Sequence, residues 1–160
     1  MAKTWKDEDI SLDPIKDQTI AVIGYGIQGD AQANNMKDSG LKVIVGLREG
    51  SPTWNKAKED GHQVMSVADA TKQADIVHIL LPDMVQAKVY KEEIGPNLSE
   101  GNALSFSHAA AIYWKWIDAP ENVDLIMVAP KGPGSKVRET YLQNFGTPSI
   151  VAVEQDKTGK

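Results

Sequence analysis

The chain has 160 residues, 41% hydrophobic and 24% charged, the composition of a single soluble globular domain. Its 17 Lys and Arg against 22 Asp and Glu leave a net charge of −5, which argues against broad electrostatic binding to nucleic acid or to an anionic membrane. With no cysteine, disulfides, thiolate metal sites and a cysteine nucleophile are excluded.

Residues 1–17 are polar, carry mixed charges and include Pro14. They read as a lead-in segment without the apolar stretch of a signal peptide. No apolar run approaches the roughly 20 residues of a membrane-spanning helix. A soluble, cytoplasmic protein is expected.

From residue 18 the pattern becomes regular. Short apolar runs at 19–23, 42–46, 75–81, 102–106, 123–129 and 148–153 read as strands, with a weaker candidate at 62–65. Several are apolar at consecutive positions, as in parallel strands covered on both faces. Between them, 27–39, 53–60, 67–73, 84–94, 109–117 and 135–144 have helical composition. Strand and helix in alternation predict an α/β fold, a doubly wound and mostly parallel sheet in one domain over 18–153. Residues 154–160 read as a polar tail.

The first strand runs into Gly24-Tyr25-Gly26-Ile27-Gln28-Gly29. This is G-x-G-x-x-G between a strand and a helix, the setting of a dinucleotide-binding turn. Gly24 permits the tight turn, Gly26 lets a pyrophosphate approach the backbone, and Gly29 lets helix and sheet pack closely. The helix N-terminus offers free N–H groups to phosphates. Without a ligand, the same loop would be a structural turn.

Specificity for the adenosine ribose should sit after the second strand. Arg48, Ser51 and Thr53 suit a 2′-phosphate. Glu49 suits a 2′-hydroxyl instead, or points to solvent. NADPH and NADH both remain open.

These stretches resemble ketol-acid reductoisomerase, also called acetohydroxyacid isomeroreductase. The resemblance runs through residues 21–33, Val45-Gly46-Leu47-Arg48, Ile79-Leu80-Leu81-Pro82-Asp83 with Gln86 and Tyr90, and Ser105-Phe106-Ser107-His108. It is strongest at Val128-Ala129-Pro130-Lys131-Gly132-Pro133-Gly134 followed by Val137-Arg138. The family converts 2-acetolactate-type substrates by a Mg²⁺-dependent alkyl migration, then reduces the product with NADPH or NADH, in branched-chain amino acid biosynthesis. A C-terminal helical domain supplies the metal ligands and the dimer contacts.

By this resemblance Gly24, Tyr25, Gly26, Ile27, Gln28 and Gly29 would hold the pyrophosphate. Arg48, Glu49 and Ser51 would surround the ribose. Leu81, Pro82 and Asp83 would line the cleft, and Gln86 would lie on the adenine side. His108 and Lys131 would face the substrate as catalytic groups. His108 could otherwise neighbour a helix cap, and Lys131 could be a solvent-facing loop lysine.

The chain departs from the family pattern at Ile27, where Ser is usual, at Asp30, where His is frequent, and at Ala109-Ala110-Ala111, where Gly-Phe-Asn is usual. The sequence reads as lacking the family's C-terminal metal-binding domain, and no Asp, Glu or His group shows metal-ligand spacing. The expectation is therefore a monomer that binds the dinucleotide and does not turn over on its own. Alternatives are a domain of another hydroxyacid dehydrogenase or a catalytically silent nucleotide-sensing or interaction module. His78, inside an apolar strand, reads as a satisfied core residue, and His62, after Gly61, as surface. Tyr113, Trp114 and Trp116 cannot share one helix face.

Overall fold

Strand β1 (Thr19–Ile23) is buried at all five positions, so it must be covered on both faces and paired on both edges. A computed structural model, which describes residues 3–159, shows how. Strands β2 (Lys42–Gly46) and β4 (Ile76–Ile79) flank β1 in parallel. The seven-stranded sheet has the order β3-β2-β1-β4-β5-β6-β7. It includes β3 (Gln63–Met65), β5 (Ala103–Phe106), β6 (Asp124–Pro130) and β7 (Ser149–Gln155). All neighbours are parallel except β6 and β7, which are antiparallel. Chain order reverses between β1 and β4, the switch point where such sheets place ligands beyond the strand carboxyl ends.

Alternate residues of a strand face opposite sides of the sheet. Ala21, Ile23, Val77, Ile79, Leu104 and Phe106 enter one core, with Val67, Ala70 and Ile94. Ile20, Val22 and Val45 enter the other, with Ala33 and Ala57. A fully buried Ile or Leu contributes about 1.5–3 kcal/mol, so the consecutive apolar residues of each strand stabilise both layers.

The helices are α1 (Ile27–Asp38), α2 (Trp54–Glu59), α3 (Val67–Gln73), α4 (Asp83–Val89), α5 (Ala110–Tyr113) and α6 (Gly134–Leu142). Helix α3 is capped by Ser66, whose hydroxyl accepts from the Asp69 N–H at 3.1 Å. Helix α4 widens into a π-helical turn over Tyr90–Ile94, within the segment expected to be regular helix.

Three expectations need correction. Helix α5 spans four residues, against nine expected. Tyr113, Trp114 and Trp116 are 73%, 63% and 46% exposed, so no apolar stripe extends it, and Lys115 turns into the left-handed region at φ 55°. Strand β7 runs to Gln155, two residues into the expected polar tail, because the β6 ladder continues through Leu125 paired with Gln155. His62 is buried, 6% exposed, because Gly61 at φ +80° turns the chain back beneath Tyr25.

The lead-in contains a 3₁₀ turn at Asp7–Asp9, and Ile15 packs on the second core. The parts of the lead-in and tail at residues 1, 2 and 160 lie outside the described residues. No helix among the described residues is long and apolar enough to cross a membrane.

Candidate functional site

The loop from β1 to α1 lies at the switch point. Its three glycines differ in what surrounds them. A Cβ on Gly24 would stand 2.8 Å from the Leu80 carbonyl oxygen, and one on Gly29 would stand 2.2 Å from that of Gly24. Both positions admit only glycine, and Gly24 also has φ +100°. A Cβ on Gly26 would meet nothing within 4 Å. The loop is thus tight against its own helix and strand and open at its middle.

The first helical bond of α1 runs from the Asp30 N–H to the Gly26 carbonyl at 2.8 Å. The preceding first-turn amides have no intrahelical acceptor. The Asp30 carboxylate beside this turn is paired with Lys56 at 2.9 Å, and its other oxygen accepts from Asn34 at 2.8 Å. The negative charge anticipated there is therefore compensated. Ile27 is 73% exposed at the loop surface.

Tyr25 contributes to the loop through its backbone. Its side chain is buried and donates to Asp60 at 2.7 Å while accepting from Asn34 at 2.9 Å. His62 packs edge-on against the ring at 5.6 Å. Burial, then the Asp60 hydrogen bond, raises the Tyr25 pKa. The Lys56 hydrogen bond holds the Asp60 carboxyl below the usual range, and burial lowers the His62 pKa.

After β2 the chain turns through Arg48, Glu49 and Gly50, with the Ser51 N–H donating to the Arg48 carbonyl at 3.0 Å. Arg48 and Glu49 are exposed. The Ser51 hydroxyl is buried and has no partner. After β4, the Leu80 N–H donates to the Ile23 carbonyl at 2.9 Å, joining this loop to β1. Leu81 packs on the first core, and Pro82 caps α4. Asp83 is exposed. Gln86 is buried, with its Nε2 turned back on the Leu81 carbonyl at 2.7 Å and its Oε1 unpartnered.

His108 follows β5 and Lys131 follows β6, adjacent parallel strands, so both lie at the same carboxyl edge. The His108 Nδ1 accepts from the Ala110 N–H at 3.2 Å, which puts the proton of the neutral ring on Nε2. Both side chains are exposed. The Lys131 N–H donates to the Pro148 carbonyl at 2.8 Å. Helix α1 reaches both loops. The Gln28 amide donates to the Gly132 carbonyl at 3.0 Å, and the Gln32 amide donates to the Ser107 hydroxyl at 3.1 Å.

Sequence reasoning left Gln32, Ser107, Asn34, Lys56 and Asp60 without a role. One signal was available for Gln32: it stands four residues after Gln28, on the same helix face. No group of three or more His, Asp or Glu able to hold a metal occurs among the described residues.

The open space at Gly26, the first turn of α1 and the lone Ser51 hydroxyl fit a group bearing phosphates. Comparison with known proteins agrees. The chain is 84% identical over 160 residues to ketol-acid reductoisomerase (NADP(+)) of Nitrosopumilus maritimus, covering 100% of this chain and 48% of that protein. It is 57% identical to the protein of the same name from Methanopyrus kandleri, covering 100% of this chain and 49% of that one. The solved structure of an NADH-preferring ketol-acid reductoisomerase from an uncultured archean superposes with a TM-score of 0.94 at 52% identity, over 96% of this chain and 48% of that chain. The chain thus spans about half the length of the curated relatives it matches. The family model for the acetohydroxy acid isomeroreductase NADPH-binding domain matches residues 14–160, and the chain belongs to that family.

Proposed function

We propose that this chain binds a nicotinamide dinucleotide across the carboxyl ends of β1 and β4 and serves as the reducing half of a ketol-acid reductoisomerase. The observation that carries this reading is the open space at Gly26, between Gly24 and Gly29, which are packed too tightly for any side chain. When bound, the dinucleotide supplies a hydride to a carbonyl carbon.

The chain's own residues bind and orient. The loop backbone from Gly24 to Gly29 and the first turn of α1 hold the pyrophosphate. Arg48 and Ser51 surround the ribose, with Glu49 turned to solvent. Leu81, Pro82 and Asp83 form the opposite wall, and Gln86 braces that wall through the Leu81 carbonyl. At the substrate end, His108 offers its Nε2 proton to an oxygen, and Lys131 offers a positive charge to a developing anion.

No group of acids among the described residues forms a metal site, so no metal step is assigned to them. Substrate closure and Mg²⁺ binding belong to residues beyond those of this chain, as the relatives' greater length suggests. The exposed Tyr113, Trp114 and Trp116 offer apolar surface for such a closure.

NADPH is the favoured cofactor in this reading. Arg48 and the lone Ser51 hydroxyl support it, as does the name of the 84% identical relative, ketol-acid reductoisomerase (NADP(+)). Parallel tryptophan-fluorescence titrations with NADPH and NADH at fixed salt test it. NADPH should bind at least tenfold tighter, about 1.4 kcal/mol. Equal or tighter NADH binding would assign the ribose to Glu49. Absence of binding by either would reduce the glycine loop to a structural turn.

A further inference from the structure

A continuous line of hydrogen bonds crosses the molecule beneath the carboxyl edge, and its polarity is fixed. The Gln32 Nε2 donates to Gln28 Oε1 at 2.9 Å and to the Ser107 hydroxyl at 3.1 Å. Its Oε1 therefore faces the His78 Nε2, 2.9 Å away. That nitrogen must carry the ring proton, so the His78 Nδ1 is bare and accepts from the Ser105 hydroxyl at 2.9 Å. At the far end, Gln28 donates to the Gly132 carbonyl at 3.0 Å, and Ser107 donates to the Val128 carbonyl at 3.0 Å. The Gln32 amide uses its two protons on two acceptors, and the Ser107 hydroxyl, which also lies 3.4 Å from Gln32 Oε1, has its nearer acceptor in Val128, so the path keeps one direction.

His78 and Ser105 are buried, at 5% and 4% exposure. An imidazole there costs more than an aliphatic side chain unless both nitrogens are bonded. The relay satisfies both. Its outputs reach the loop that carries Lys131 and the residue that precedes His108.

We propose that His78 and Gln32 are positioning residues, which hold the Lys131 and His108 loops in register with the glycine loop through Gln28 and Ser107. The functional value of that register rests on the cofactor reading above. The relay itself does not require it.

Two variants test the relay in the 160-residue chain. In Gln32→Glu the side chain keeps its shape but has no donor for Gln28 or Ser107. In Gln28→Glu only the last donor, to Gly132, is lost. Nitrogen-15 NMR of the parent without ligand should show His78 protonated on Nε2 and bare on Nδ1. Both variants should raise amide exchange at Lys131 at least tenfold and weaken NADPH binding at least tenfold. Gln28→Glu, at the rim, should leave the melting temperature and the His78 tautomer unchanged.

A proton on the His78 Nδ1 would overturn the proposal. So would unchanged Lys131 exchange in Gln28→Glu, which still folds if Gln32→Glu does not. If Lys131 exchange rises in the variants while the parent binds neither NADPH nor NADH, the relay stands and the cofactor reading fails.

Discussion

Gly29 is pressed against Gly24: a Cβ at 29 would lie 2.2 Å from the Gly24 carbonyl oxygen, whereas a Cβ at Gly26 would touch nothing within 4 Å. The same substitution should therefore have different consequences at two positions only three residues apart. Gly29→Ala should lower stability by about 1–3 kcal/mol through overpacking. Gly26→Ala should change stability by less than about 0.5 kcal/mol yet weaken NADPH binding at least tenfold, about 1.4 kcal/mol. Denaturant melts paired with fluorescence titration separate the two.

Burial lowers the His78 pKa from 6.5 to about 4. The unfolded chain takes up this proton first. The stabilisation is fully present above pH 6.5 and is lost as pH falls towards about 4, a total of roughly 3 kcal/mol. His62, also lowered by burial, adds to the same slope. His78→Gln should flatten the acid limb of a plot of stability against pH, measured by urea melts at half-unit steps.

Strand β1, strand β2 and helix α3 were legible to the residue, because each is an apolar run or a capped segment bounded by polar residues. The glycine loop was legible for the same local reason. What lay across the fold was not. Gln28 meets Gly132 across 104 positions, and Gln32 meets Ser107 across 75. No local periodicity encodes such pairings. His62 reads as surface because a His after Gly resembles turn chemistry. Its burial depends on Tyr25, on a different element. The predicted long α5 fails for a physical reason, since Tyr113, Trp114 and Trp116 are all exposed and find no core.

Lys56 bridges two carboxylates, Asp30 at 2.9 Å and Asp60 at 2.6 Å. It is half exposed, so Lys56→Met should cost only about 0.5 kcal/mol at pH 7. The depressed Asp60 pKa makes this stabilisation present above the ordinary carboxylate pKa and lost as pH falls through the lower folded value. The variant and parent should therefore converge in strong acid. Asp30 would stand uncompensated beside the first turn of α1, and NADPH binding should weaken severalfold. Urea melts at two pH values and a titration check both effects.

Arg48 and Glu49 are neighbours of opposite charge, and both are exposed. Arg48→Ala should weaken NADPH binding at least tenfold, about 1.4 kcal/mol, and NADH binding much less. Glu49→Gln should raise the preference for NADPH by removing a charge that repels a phosphate. The ratio of the two dissociation constants, measured at one salt concentration, reads both outcomes.

The central position of β1 also dictates an order of assembly. One of its neighbours, β2, follows directly, but the other, β4, pairs Ile20 with Ile76, and the Thr19 N–H waits for the Asp75 carboxylate 56 positions later. During synthesis on the ribosome, the first fifty residues carry the whole glycine loop and half of its walls. They cannot close that loop against Leu80 until β4 has emerged. The segment that most needs shielding is thus made early and enclosed late, which makes nascent chains shorter than β4 natural clients for chaperones.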